Sequence, residues 1–145
     1  MALNSLVQKR VIACNPTESV KEVARIMEQE NVGSVLILQG GKPLGIVTDR
    51  DLVLRCMVNG LDCSKTPIST VMTKNVECVG SDDGIHDVVE LMKRKEIRRI
   101  PVKDSTGKIV GLVSSGDVLG LLSQEFLDLR RATASEKSKL IGRAA

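Results

Sequence analysis

Aromatic side chains are nearly absent from this chain of 145 residues: Phe126 stands alone, with no Trp and no Tyr. A surface that stacks nucleic-acid bases on rings has nothing to be built from. Histidine is as scarce, with His86 only, and the four cysteines Cys14, Cys56, Cys63 and Cys78 show no Cys-x-x-Cys spacing. Neither a zinc cluster nor a nucleophile–base pair assembles from such a set, so no metal site and no catalytic residue is expected, and the chain is read as a non-enzyme. The cysteines read as buried thiols, with a disulfide credible only in a hyperthermophile. Apolar runs stay well short of the roughly 20 residues that cross a bilayer, and the N-terminus lacks the long apolar core of a secretory signal. A cytoplasmic protein with no membrane contact is the expectation.

A basic face is missing too. The formal net charge is +3, but Arg130, Arg131, Lys137, Lys139 and Arg143 all lie beyond Leu129 with one acid among them. Residues 1–128 carry 16 basic and 17 acidic side chains, so the body is near neutral and nucleic acid is not an expected partner. The tail, rich in Ala and Ser, reads as a frayed helix or a solvated end. A chain of this length buries roughly 70% of the surface its unfolded form exposes, enough for one compact body.

What the chain does contain is a duplication. Gly45-Ile46-Val47-Thr48-Asp49-Arg50-Asp51 and Gly111-Leu112-Val113-Ser114-Ser115-Gly116-Asp117 share one pattern: glycine, two apolar residues, a hydroxyl, two free positions and an aspartate. Val20, Val23, Ala24 and Met27 recur 65 positions later as Ile85, Val88, Val89 and Met92, whereas Gly45 and Gly111 differ by 66. One residue is inserted between, most simply in the turn near Ser105. A repeat of this length is a structural unit, and two copies suggest a pseudo-symmetric pair.

The first copy opens with a strand-like run, Val11 to Cys14. Ser19 then stands three residues before Glu22, the spacing of a capping box, and Val20, Val23, Ala24 and Met27 fall on one helical face. Gly33 to Leu38 and Leu44 to Thr48 read as strands joined by the turn Gln39 to Lys42, and a second helix from about Arg50 to Asn59 stops at Gly60. In the linker Leu61 to Lys74, Thr66-Pro67 reads as a cap with proline at the first helical position, opening a short helix through Ile68, Val71 and Met72. Strand, helix, strand, strand, helix then repeats over Val76 to Val79, Ile85 to Lys95, Ile100 to Lys103, Ile109 to Ser114 and Asp117 to about Phe126. Gly84 replaces Ser19 there, and Asp83 is expected to take over as cap. The divisions are 1–64, 65–128 and a basic tail, 129–145.

In both copies the hydroxyl of Thr48 or Ser114 ends a strand, and Asp51 or Asp117 lies in the first turn of the following helix. Unpaired amides at such a turn attract an anion. A carboxylate beside them repels phosphate, but its two oxygens suit the two donors of a ribose cis-diol. Hydroxyl plus carboxylate at this spacing therefore fits a nucleotide, and it fits equally well a plain helix cap. The cluster Lys93, Arg94 and Lys95 is what a helix C-terminus collects; Arg98 and Arg99 lie past that end, on opposite faces of a strand.

The two motifs, each preceded by a strand-helix-strand unit, resemble paired cystathionine-β-synthase (CBS) domains, the Bateman module, over about residues 1 to 128. The resemblance implies an α+β fold of two pseudo-symmetric βαββα halves packed sheet to sheet with helices outside, and two clefts that bind adenosine nucleotides or related adenosyl ligands: AMP, ADP, ATP or S-adenosylmethionine. It also implies a homodimer through the helices and a regulatory task exerted on an unknown partner protein. Carried over by position, the first cleft takes Asp51 on ribose, Thr48 and Arg50 near phosphate, Val76 and Ile97 at adenine, and Arg98 or Arg99 on phosphate. The second takes Asp117, Ser114 and Ser115, with adenine near Ala13, and has Gly33 and Ser34 where the first has the two arginines. A guanidinium–phosphate contact is worth roughly 1.5 to 3 kcal/mol, so the Asp51 cleft is expected to bind more tightly. The alternative is a structural assembly module whose clefts stay empty.

Overall fold

The computed structural model describes residues 3–144, with the side chains of Asn4 and residues 137–144 left out. Lys137, Lys139 and Arg143, counted with the basic tail, therefore have side chains outside the described residues.

Helix α1 (Val20–Glu30) starts where the capping signal puts it. Ser19, extended at φ −71° and ψ 152°, accepts from the Glu22 amide at 3.1 Å. The Glu22 carboxylate turns to Arg25 at 3.2 Å instead of back to the cap, so only the hydroxyl arm of the box forms. Val20, Val23 and Met27 are buried, while Ala24, expected on the same face, is exposed. Helix α3 (Ile85–Lys95) keeps the other arm: the Asp87 carboxylate accepts from the Gly84 amide at 3.0 Å. Asp83 does not serve as the cap; it accepts from the Gly80 amide at 2.7 Å.

Two small sheets carry the halves. The first runs β1 (Ala13–Cys14), β2 (Ser34–Gln39), β3 (Lys42–Thr48), β4 (Thr73–Lys74); the second runs β5 (Val79–Gly80), β6 (Arg99–Lys103), β7 (Ile109–Ser114). β1 is parallel to β2 as β5 is to β6, and both hairpins are antiparallel. Ile37 pairs with Gly45 and Val102 with Gly111, each next to a register shift, so the extra residue of the second copy lies in the turn between Lys103 and Ile109. Along β2 and β6 the alternation of a strand divides the apolar residues. Val35 and Ile37, like Ile100 and Val102, belong to the clusters under the helices; Leu36 and Pro101, on the opposite faces, are buried outside both clusters. The Ile109 amide donates to the Gly41 carbonyl at 3.1 Å, joining the hairpins of the two halves.

The duplication begins earlier than the strands. Leu3–Ser5 and Ile68–Thr70 are matching 3₁₀ turns, and Leu3 and Ile68 are both fully buried. The two turns are exchanged between the halves: Leu3, Leu6 and Val7 pack on the second core, Ile68, Val71 and Met72 on the first. Gln8 pairs antiparallel with Leu112, as Thr73 pairs with Ile46. This approach is why both motifs start with glycine. A Cβ on Gly45 falls 2.5 Å from Met72 Sδ and 2.8 Å from the Thr73 carbonyl; one on Gly111 overlaps Val7 Cγ1 and meets the Gln8 carbonyl at 3.0 Å.

Three elements differ from expectation. The second helix, α2, is an α-turn Asp49–Asp51 that continues as a π-helix, Leu52–Met57, with the Val58 amide on the Val53 carbonyl at 2.9 Å. Gly60, at φ 66°, supplies the left-handed stop. In the linker Pro67 itself is the residue before the turn, extended at ψ 146°, and the turn ends at Thr70 without a side-chain cap. Helix α4 (Ser115–Ala144) runs for 30 residues through the tail, because no glycine or proline stands between Gly120 and Gly142.

Candidate functional site

The strand β3 ends on Thr48 and β7 on Ser114, and both chains turn at once into a helix. At each turn the first helical amide is taken by the neighbouring strand: Asp49 N donates to Gly33 O at 3.1 Å, Ser115 N to Arg98 O at 2.8 Å. The hydroxyl and carboxylate close a reciprocal box. Thr48 N donates to Asp51 Oδ2 at 2.9 Å and Asp51 N to Thr48 Oγ1 at 3.3 Å. Ser114 N and Oγ donate to Asp117 Oδ2 at 2.8 and 2.7 Å, and Asp117 N donates to Ser114 Oγ at 3.2 Å. The capping role that the sequence left open is thus present in both copies, and it occupies chiefly one carboxylate oxygen of each pair.

The outward oxygens face different groups. Asp51 Oδ1 lies 3.6 Å from Arg55 Nε, and the same guanidinium donates to Val71 O and Thr73 Oγ1 at 3.0 and 3.2 Å. Asp117 Oδ1 accepts from Gln8 Nε2 at 3.1 Å. Burial works against charge on Asp117, but bonds from the Ser114 side chain and backbone and from Gln8 outweigh it and hold the carboxyl below its usual range.

The amides expected to attract phosphate are not equally open. In the first copy the Arg50 amide donates to the Asp49 carboxylate at 2.9 Å, and that carboxylate stands over Gly33, 3.6 Å from where a Cβ would be. All three leading amides of α2 are therefore satisfied. Ser115 and Gly116 replace Asp49 and Arg50 in the second copy, which removes the competing carboxylate.

A cleft of about 260 Å³ opens between the halves beside Ser114, walled by Gln8, Arg10, Val11, Ile12, Ser34 and Arg99 among others. Ser34 lines it, and so does Arg99, which the resemblance assigns to the first cleft and which pairs across the hairpin with Ser114. Arg10, which sequence reasoning missed, also lines it and is ion-paired to Glu30. Val11 and Ile12 occupy the wall near which adenine was expected, while Ala13 lines a separate hollow with Cys14 and Leu38. Val76 and Ile97 are half-buried and Arg98 is exposed. Among the described residues no hydrogen bond or ion pair joins any of these three to Asp51. The signal that marks Arg10 and Gln8 is their offset of 65 from Asn75 and Thr73, which only the paired edge strands make visible.

A profile of the CBS domain matches residues 3–57 and 68–124. The Bacillus subtilis CBS domain-containing protein YhcV is 34% identical over 109 residues, covering 75% of this chain and 76% of that one; MK0525 of Methanopyrus kandleri is 33% identical over 120 residues, 82% of this chain and 61% of its own. Inosine-5′-monophosphate dehydrogenase of Korarchaeum cryptofilum matches at 30% identity, but over 26% of its length. Among solved structures, the CBS domain pair of protein MJ0100 in complex with 5′-methylthioadenosine and S-adenosyl-L-methionine superposes with a TM-score of 0.75 at 27% identity, covering 86% of this chain and 98% of that one. PAE2072 from Pyrobaculum aerophilum, complexed with AMP, gives 0.72 at 25% identity over 81% of this chain and 89% of that one.

Proposed function

This chain belongs to the CBS domain family as a tandem pair, and on that premise we propose that it is a regulatory module that binds an adenosine nucleotide between its halves. AMP, ADP, ATP and S-adenosylmethionine are the ligands in question, and a separate, unidentified protein receives the signal. The observation that carries the reading is the duplicated box of hydroxyl and carboxylate, set in the second copy beside an open cleft with Arg99 and Arg10 in its wall. The adenosine-bearing ligands of the two structural neighbours support it. No helix is long and apolar enough to cross a membrane among the described residues.

In this reading the first cleft uses Asp51 on ribose, Thr48, Arg50 and Arg98 toward phosphate, and Val76 and Ile97 at the base. The second uses Asp117 on ribose, Ser114, Ser115 and Arg99 toward phosphate, and the wall from Val11 through Ala13, with Ser34, at the base. The order of affinity is the reverse of the one the two arginines suggested. Arg99 stands in the second cleft, and the Asp49 carboxylate opposes an anion in the first.

Assembly is a second reading with its own observation. Val53 and Met57 on α2 and Leu119, Leu122 and Phe126 on α4 are exposed on the outer helices, a surface suited to a homodimer. Calorimetry with the four ligands separates the two. Sensing requires saturable heat from at least one, with unequal sites, and a loss of about ten- to a hundredfold in Asp117→Ala and with 2′-deoxy-AMP. Silence with all four leaves assembly alone, and light scattering then reports the dimer.

A further inference from the structure

Two thiols meet at the end of α2. Cys56 Sγ lies 2.9 Å from Cys63 Sγ, within an ångström of the roughly 2.05 Å of a sulfur–sulfur bond. Both thiols also approach the Leu61 carbonyl, at 3.7 and 3.9 Å. The segment between them is closed on itself: Leu61 N donates to Cys56 O at 3.1 Å and Gly60 N to Met57 O at 3.1 Å. Cys63 O in turn accepts from Lys21 N of α1 at 2.9 Å. The backbone thus already holds the two sulfurs together, and little movement separates the contact from a bond. The pair has no counterpart in the other copy, where Leu122 stands at the place of Cys56.

We infer that Cys56 and Cys63 form a reversible disulfide that staples the π-helical end of α2 to the segment anchoring α1. The inference does not rest on the nucleotide reading. The two cysteines differ in access. Cys56 is fully buried and its thiol is pushed up to about 11 by that burial, by its hydrogen bond to Cys63 and by the nearby Cys63 and Asp62 charges. Cys63 is half-buried and lines an open apolar groove with Val20, Ala24, Leu52 and Met57.

The oxidant is a small disulfide such as oxidised glutathione. The Cys63 thiolate attacks one of its sulfurs, forming a mixed disulfide and releasing one thiolate. Cys56 then gives up its proton to solvent and attacks the Cys63 sulfur, expelling the second thiolate. Two protein thiols are oxidised and one reagent disulfide is reduced to two thiols.

The test treats the native full chain with oxidised glutathione and then alkylates under denaturing conditions. Cys56 and Cys63 lie between Arg55 and Lys65, so a single tryptic peptide carries both. The expected result is loss of two hydrogen masses in that peptide, full alkylation of Cys14 and Cys78, reversal by dithiothreitol, and a higher melting temperature for the oxidised form. Cys63→Ser, at the half-buried position, abolishes the mass loss while leaving the far-ultraviolet spectrum unchanged. Four alkylated cysteines after treatment, or a glutathione adduct on Cys63 that never closes, overturns the inference.

Discussion

Gln8 reaches across 109 positions of sequence to donate its side-chain amide to both oxygens of Asp117, at 3.1 and 3.3 Å. The residue at the matching place in the first copy, Thr73, touches Asp51 only through Arg55. The two carboxylates are alike in motif and unlike in availability. Asp117 is already engaged by the segment that completes its sheet, so a diol arriving there competes with Gln8.

Gln8→Ala is therefore expected to tighten binding at the second cleft. A hydrogen bond to an ionised carboxylate is worth about 1.5–3 kcal/mol, or roughly ten- to a hundredfold in Kd. Titration calorimetry reads the change directly, and an unaltered or weaker Kd means that Gln8 stays in place when ligand binds.

Arg98 lies in the bend just before β6 and Arg99 opens the strand, and of the two only Arg99 lines the cleft of Ser114. Arg99→Ala should weaken AMP about ten- to a hundredfold and leave adenosine nearly unaffected, because the lost partner is a phosphate. Arg98→Ala should have the smaller effect on the tighter site. Equal losses from both variants would contradict the assignment.

Gly111→Ala should destabilise the second half by about 1–3 kcal/mol, the usual range for overpacking, since its Cβ overlaps Val7. Limited proteolysis should then cut near Lys9 and Arg10 sooner than in the unaltered chain. Gly120→Ala, where nothing lies within 4 Å, is the control, and matching behaviour of the two variants removes the close-packing argument.

Acid should weaken the fold through Asp117 and Asp104. Asp117 titrates below the usual aspartate value of 3.8 for the reasons given above, and Asp104 does so because the Thr106 hydroxyl and the Thr106 and Lys108 amides bond to it against the cost of burial. A carboxyl lowered in the native state binds more protons when unfolded. Its contribution is complete above the unfolded value and disappears as pH falls through the native one. Thermal melts should hold steady down to about pH 5 and fall below about pH 4, with a shallower fall in Asp117→Asn. A slope identical to the parent would show that Asp117 carries none of it.

The parts of the fold that local chemistry decides were legible in the sequence. Helices α1 and α3 follow from apolar spacing and cap positions, and the hairpins from their turns. The hydroxyl–carboxylate box was readable too, in its capping role. What escaped was tertiary. Val7 and Met72 share the offset of 65, but nothing local says that each packs where a glycine has cleared room. The π-turn of α2 has no sequence marker; it accompanies the placement of Arg55 on Val71 O and Thr73 and of Cys56 in the core. Arg99 could be assigned to a face of its strand, but not to a cleft, until the two sheets were set against each other.

The exchange of edge segments gives the two halves opposite histories. Residues 68–74 follow the helix of the first half, which ends at Met57, after a short connection, so that half is finished by its own continuation through loops that cost little entropy to close. The later half must reach back past the whole of the first, joining Gln8 to Leu112, a closure of high contact order that folds more slowly. A nascent chain thus presents one finished lobe while the segment around Gln8 that the other lobe needs is still unpaired.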